Sequence, residues 1–459
     1  MKIAVVGGGP SGLTCAYRLQ CAGHEVVVYE SDAHVGGRMA SVLADGFTID
    51  TGVSLLLATY KRTQALAKEL GIEDEWFAFH AAGSGGVLRD GKLTSFSPNG
   101  AMGVLGYRGL SWFSRVRLLL YFLRARKWVG KFDFFDLSVG SDALEAVDAD
   151  TYVRSKLGPE IADWLFDPFV RTFHFHGAKR ISMKYFDALA ALLLEQGRFS
   201  SRGFRHNMGT LSHALASHLK VFRQTPVKAV YRQQGRVCVE LLDRKEFFDS
   251  VVLATPATIS RKLLQGHSPQ QRELLDKVEY SSTLMCAFRV PKCALPDFEG
   301  IWVPFAESSI ICCCANETRK GAVEGSECVL ILGTHEEASA NLFTRSDKEV
   351  FETVAAEWSR LFPQYESQMK GIHVQRWPNA LPIYAPGLIN QVTKFWQNGQ
   401  GEGGIWLCGD YLNHPWVEGS IHCGEKVAAR IGRAVLAGEV SPLKPKKQVL
   451  PARRSVTGS

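Results

Sequence analysis

With 459 residues, 46% hydrophobic and 22% charged, the chain has the balance of a soluble globular protein and the length for two domains, with no collagenous, repetitive or low-complexity character. The formal charge of +7 does not mark a nucleic-acid surface: residues 441–459 alone hold Lys444, Lys446, Lys447, Arg453 and Arg454 without an acidic residue, a basic tail expected to be disordered, and the body is nearly neutral. Eleven cysteines without a C-x-x-C pair read as reduced thiols, and Met1 running straight into a strand leaves no room for a signal peptide, so a cytoplasmic protein is expected.

The strongest signal comes first. The apolar run 3–6 reads as a buried parallel strand and residues 12–22 as a helix. Between them the stretch VVGGGPSGL (residues 5–13) sets Gly7, Gly9 and Gly12 at the G-x-G-x-x-G spacing, with Pro10 and Ser11 inside the turn. That spacing permits a tight turn, close approach of backbone to a pyrophosphate and close helix-on-strand packing, with phosphates on the free N–H groups at the helix start. A second strand, Glu25–Tyr29, leads into Glu30, whose carboxylate can accept hydrogen bonds from a ribose. Gly36-Gly37-Arg38 follows where a nicotinamide-dependent enzyme would place another helix; it is a second permissive turn, with a guanidinium able to meet the same pyrophosphate.

Further on, a turn is expected at residues 97–100. Residues 112–128 (WFSRVRLLLYFLRARKW) mix aromatic and aliphatic side chains with Arg115, Arg117, Arg124, Arg126 and Lys127, and their longest apolar run is far too short to span a bilayer. The segment reads as a helix packed on its own domain with snorkelling cations, as a helix lying on a membrane surface, or as an entrance for greasy substrates. His174 and His176 alternate without a third ligand nearby and read as structural or pocket-lining; His213 and His218, five apart, miss the one-face spacing of a metal pair. A helix is expected over 185–196 and strands over 284–290, 301–304 and 329–333, with Cys312-Cys313-Cys314 inside a sheet strand. Near the C-terminus an apolar strand ends at Gly409-Asp410, where a carboxylate can accept from sugar-like hydroxyls. Glu418-Gly419-Ser420 then opens a helix whose first N–H groups would face an anionic group.

These motifs resemble the flavin-dependent amine oxidase superfamily, which includes monoamine and polyamine oxidases, protoporphyrinogen oxidases and phytoene desaturases. The resemblance extends through TPVKAV (225–230), similar to a strand that touches the adenine, VVLATP (251–256) and residues 405–431. It implies an α/β fold, a Rossmann-like FAD-binding domain (1–75, 205–270 and 391–440) carrying an inserted α+β substrate-binding domain of mixed sheet and helices (76–204 and 271–390). Gly7, Gly9, Pro10, Ser11, Gly12, Glu30, Gly37, Arg38, Val227, Gly409, Asp410 and Val417 would then bind FAD.

Three positions depart from the amine oxidases. Met285 stands where they usually carry a lysine near the flavin, Asn379 where monoamine oxidases carry the covalent-flavin cysteine, and Ala380 where they carry one wall of an aromatic cage. Trp416, the other wall, is kept. Trp416, Tyr384 and Met285 are the expected pocket residues, the FAD is expected to be noncovalent, and neither a catalytic base nor a metal is assigned. The expected activity is dehydrogenation of a C–N or C–C bond in a hydrophobic or ring-containing small molecule by hydride transfer to the flavin, with oxygen as acceptor. An amine oxidase acting on a primary or secondary amine, and a non-catalytic binding protein similar to GDP dissociation inhibitors, are the alternatives. No nucleic-acid partner is expected, contact with a membrane periphery is left open, and no oligomeric state is implied.

Overall fold

The computed structural model describes residues 1–79, 85–96, 103, 105–140, 143–196, 200–292, 298, 300–317, 325–365 and 369–437. The expected turn at 97–100 and the basic tail at 441–459 lie outside the described residues.

Five parallel strands form the first sheet, in the order Lys220–Phe222, Glu25–Tyr29, Lys2–Val6, Ser250–Leu253, Ile405–Leu407. Val5 sits opposite Val28 on one side and Val252 on the other, and all three are fully buried. A parallel sheet covered on both faces needs continuous runs of Val, Ile and Leu rather than alternation, which is the pattern these strands carry. The helix after the first strand runs Pro10–Cys21, beginning two residues before the expected start because the fixed φ of Pro10 suits the first helical position. The final helix, Val417–Leu436, packs along it. A Cβ on Gly424 would stand 2.5 Å from the Ser11 carbonyl oxygen, so only glycine allows this approach.

The second sheet has seven strands, in the order Lys370–Trp377, Thr283–Pro291, Glu327–Thr334, Ile311–Asn316, Gly300–Trp302, Gly85–Arg89, Lys92–Phe96. Every pair is antiparallel except Gly300–Trp302 with Gly85–Arg89, so the sheet is mixed, as the fold class requires. Alternation along its central strands separates two faces. Leu284, Cys286, Phe288, Leu330 and Leu332 join Val350, Val354 and Trp358 of the helix Asp347–Leu361 in one core, while Met285, Ala287, Val329 and Ile331 face the other way. The expected strands at 284–290 and 329–333 and the Cys312–Cys314 strand all belong to this sheet.

One expected element differs. Of the stretch 225–230, expected as a strand, residues 225–228 join no ladder and only Ala229 and Val230 do, at the start of the strand Ala229–Gln233. Pro226 has no N–H to give a ladder.

The last helix also anchors the helix Lys61–Glu69. The buried Glu418 carboxylate accepts from Arg62 N–H (2.7 Å), Thr63 N–H (3.0 Å) and the Thr63 hydroxyl (2.6 Å). Glu418→Ala leaves these donors without their acceptor, and is expected to lower unfolding free energy by ~1–3 kcal/mol, read as a fall in the urea midpoint at constant m.

Candidate active site

A single cavity of about 940 Å³ runs from the glycine turn of the parallel sheet to the face of the mixed sheet that carries Met285 and Ile331. Its first end is built from backbone. Gly7 adopts φ +111°, and a Cβ there would lie 2.8 Å from the Ala254 carbonyl oxygen; one on Gly12 would lie 2.2 Å from the Gly7 carbonyl oxygen. Gly9 has open space around it and caps the helix without a side-chain hydrogen bond; Pro10, which has no N–H to leave unpaired, and Ser11, whose first-turn N–H is free of a side-chain cap, both border the cavity. Gly12 lies behind the turn, where it permits helix–strand contact, and does not reach the cavity wall.

Glu30 is buried at the end of its strand. Its carboxylate accepts Gly8 N–H at 2.6 Å and Asp32 N–H at 2.9 Å, and the residue borders the cavity. Val227 borders it too, two residues after Thr225, whose N–H donates to the Glu30 carbonyl at 2.8 Å. Gly36 (φ +115°) and Gly37 (φ +51°) turn the chain so that Arg38 faces the cavity.

Arg38 and Asp410, expected to serve different parts of one cofactor, form an ion pair at 2.8 Å, and Arg38 Nη1 also donates to the Ala380 carbonyl at 2.8 Å. The reason is electrostatic: a buried charge needs a counter-charge. Burial pushes the Asp410 carboxyl above its ordinary range, while Arg38 pulls the other way. Gly409, Asp410, Trp416 and Val417 all border the cavity, and the N-terminus of Val417–Leu436 opens beside them.

At the far end stand Phe173, Phe175, Met285, Trp302, Ile331, Trp377 and Trp416. Trp416 is held from several sides. The His174 ring stacks on it (6.0 Å, 20°), the His414 ring meets it edge-on (5.1 Å), and Phe134 and Phe173 complete the nest. Trp416 N–H donates to His414 Nδ1 (3.2 Å), and Tyr185 OH pairs with His174 Nε2 (2.9 Å). His174 and His176 are therefore packing groups behind the wall; His176 Nδ1 pairs with the Gly177 carbonyl.

Tyr384 departs from its expected place. It is buried away from the cavity wall, and its hydroxyl donates 2.5 Å to the Asp410 backbone carbonyl, so it supports the Asp410 turn instead of lining the pocket. Sequence reasoning missed Phe173, Trp302, Trp377 and Cys313; the first lies inside the FHFHG stretch and Trp377 inside RWPNALP, but no spacing rule marks either as wall.

A glycine cradle that side chains would fill, a helix start without a cap, and buried acids at the ends of two strands fit a dinucleotide cofactor, and the apolar far chamber fits a substrate beside it. Fold and site thus define an α/β protein built to hold a dinucleotide with an apolar chamber beside it. The family model for flavin containing amine oxidoreductases matches residues 10–432, and the chain belongs to that family. Its cofactor is FAD.

Coproporphyrinogen III oxidase of Mycobacterium tuberculosis is 25% identical over 410 residues, covering 85% of this chain and 88% of that one. Protoporphyrinogen oxidase 2 of Arabidopsis thaliana is 29% identical over 185 residues, 40% of this chain and 34% of that protein. Among solved structures, putrescine oxidase bound to putrescine shares the fold with a TM-score of 0.76 at 17% identity, covering 94% of this chain and 99% of that one. These relatives give no support to the role resembling GDP dissociation inhibitors.

Proposed function

We propose that the protein holds FAD noncovalently and dehydrogenates a C–N or C–C bond of an uncharged, hydrophobic or ring-containing small molecule, in the cytoplasm and with oxygen as the electron acceptor. The observation that carries this reading is the chemistry of the far chamber. Among the described residues its aromatic and aliphatic walls carry no carboxylate to receive an ammonium group. The one cation there among the described residues, Arg376, is spent on Asp347 (2.6 Å) and the Arg345 carbonyl (2.8 Å). The hydroxyls of Thr172 and Thr283 donate to the backbone carbonyls of Cys312 (3.2 Å) and Thr334 (2.8 Å). Little is left there for a charged substrate.

The flavin supplies a hydride acceptor when bound. The chain's part is to bind, orient and exclude water. Gly7 to Ser11, Glu30, Arg38, Val227 and Asp410 would hold the cofactor, and the helix start at Trp416 and Val417 offers a partial positive charge where negative charge develops. Neither lysine nor histidine borders the cavity among the described residues, so the chain offers no obvious general base and rate would come from alignment between Met285 and Trp416. Asn379, whose side-chain oxygen accepts from the Thr258 hydroxyl at 2.9 Å, has no sulfur to tether a flavin. The domain division given above belongs to this reading; its support is that strands from 85–96 and 283–377 share one sheet, while Lys2–Val6, Glu25–Tyr29, Lys220–Phe222, Ser250–Leu253 and Ile405–Leu407 share another and Ala229–Gln233, Arg236–Glu240 and Lys245–Phe248 form a small sheet of their own.

The rival reading, an amine oxidase for a primary or secondary amine, draws support from the aromatic face of Trp416 and the likeness to putrescine oxidase. The test is anaerobic bleaching of the flavin band by a panel of uncharged ring compounds, porphyrinogens and amines, after showing that the flavin passes a filter once the protein is heat-denatured. Uncharged compounds are expected to bleach fastest, and Trp416→Ala to slow them by tenfold or more, on the order expected when an aligning wall is lost. Fast bleaching by diamines alone would install the rival, and flavin retained on the denatured chain would overturn the noncovalent assignment.

A further inference from the structure

The helix Trp112–Ala125 and its continuation through Trp128 have two unlike faces. Ser114, Leu118, Tyr121 and Ala125, spaced at three and four residues, are buried against the body. Tyr121 OH donates to Asp187 and the Ser114 hydroxyl to Glu160, so this face is fully engaged. The outward face of a helix on a soluble protein should be polar. Here Trp112 is 62% exposed, Phe113 79%, Leu120 49% and Leu123 47%.

The charge on that face has one sign. Residues 111–132 contain six Arg and Lys and no Asp or Glu. The acids packed nearby are committed elsewhere: Glu160 to Ser111, Ser114 and Arg89, Asp187 to Tyr121, and Glu195 to the Gly130 N–H. Among the described residues Arg117, Arg124, Arg126, Lys127 and Lys131 enter no ion pair, and Lys127 lies over the Trp128 ring at 4.3 Å. No helix among the described residues is long and apolar enough to cross a membrane.

Exposed Trp, Phe and Leu beside unpaired long cations is the composition of a helix that lies in a headgroup layer, with its rings at the acyl boundary and its cations on anionic lipid. We propose that the outer face of residues 112–131 docks the protein on an anionic lipid surface, with Trp112, Phe113, Leu120 and Leu123 inserting and Arg124, Arg126 and Lys127 meeting the headgroups. This contact is independent of which substrate the enzyme takes, since none of these residues borders the cavity.

The test is cosedimentation of the full-length, flavin-loaded protein with vesicles of phosphatidylcholine alone or mixed with phosphatidylserine. Binding to the anionic vesicles at low salt is expected, weakening as salt rises. Trp112→Ser with Phe113→Ser should lower it by about tenfold or more through lost apolar burial, and Arg124→Gln, Arg126→Gln and Lys127→Gln by about fivefold per charge. Flavin absorbance and melting temperature at wild-type values show that the variants fold. The variants also separate this helix from the basic tail at 441–459, which could hold anionic vesicles by itself. Failure of the wild type to bind anionic vesicles, binding that neither variant weakens, or a dimer abolished by the Trp112/Phe113 change without any vesicle binding would each overturn the proposal.

Discussion

Gly12→Ala is expected to yield little folded protein, whereas Gly9→Ala should fold normally and lose its flavin. The two glycines are three residues apart in one motif, yet the space around them differs. A Cβ at position 12 would meet the Gly7 carbonyl oxygen at 2.2 Å and the Ala254 Cβ at 2.9 Å. Neither neighbour is the end of a flexible side chain. Gly7 is itself pinned, since its N–H donates to the Tyr29 carbonyl and Ala254 N–H to the Val6 carbonyl. Relief would require the first helix to move off the parallel sheet. Overpacking a core by a methyl group costs ~1–3 kcal/mol, and a backbone clash this close belongs at or beyond the upper end, a large share of the ~5–15 kcal/mol that holds a typical domain.

At position 9 a Cβ has no protein atom within 4 Å, but it would project where the chain borders the cavity. The protein loses nothing; the ligand loses close approach to the backbone. The measurement is flavin absorbance per mole of chain beside a thermal melt. Gly9→Ala that keeps a full complement of flavin would remove the glycine turn from the cofactor site, and Gly12→Ala that melts with the wild type would contradict the packing described above.

The pairing also shows which parts of the site could be read from sequence. Gly7, Gly9, Gly12 and Glu30 were legible because strand, turn, helix and second strand are contiguous, so spacing alone fixes their geometry. The Arg38–Asp410 pair was not: each residue was identified, but 372 positions separate them, and only the alignment of the Gly36-Gly37 turn with the Ile405–Leu407 strand brings them to 2.8 Å. The wall of the far chamber was legible only in fragments. Met285 and Trp416 stood out by resemblance, whereas Phe173, Trp302 and Trp377 come from a helix and two strands whose facing depends on sheet register. Tyr384 was named as a wall and proved to be a support, because a buried tyrosine needs a partner for its hydroxyl and the Asp410 carbonyl provides one. Strand order in the mixed sheet, where 85–96 is appended to strands some 200 residues later, leaves no local trace.

Acid is expected to unfold the protein well before its carboxylates titrate in the unfolded chain. His174, His176, His335 and His414 are each at most 1% exposed. Burial drives His174 and His414 well below the ordinary histidine range and His176 and His335 down to about 3. His176 Nε2, His335 Nε2 and His414 Nε2 have no hydrogen-bond partner that could share a proton. In the unfolded chain the same imidazoles take up a proton at about pH 6.5. Between pH 6.5 and 3 the unfolded state therefore binds more protons, and stability falls as pH falls. Above about pH 6.5 the contribution is complete and the profile flat. Each histidine costs up to ~1.4 kcal/mol per pH unit in that window, so the four together can remove ~5 kcal/mol for each unit. Asp410, Glu336 and Glu418 act oppositely, because burial raises their carboxyls and the folded state takes up their protons first; Glu160, held at about 2 despite its burial by the Ser111 and Ser114 hydroxyls and Arg89, adds to the loss below pH ~4.5. The histidine effect is thus cleanest between pH 7.5 and 5.5. Urea unfolding across that interval should show the midpoint falling with m unchanged, and His176→Gln, whose amide does not titrate, should reduce the slope by roughly a quarter whatever it does to stability at neutral pH. A midpoint that holds steady or rises on acidification to pH 5.5 would mean that these imidazoles carry their protons in the folded state, and that the nest behind Trp416 is wetter than its packing implies.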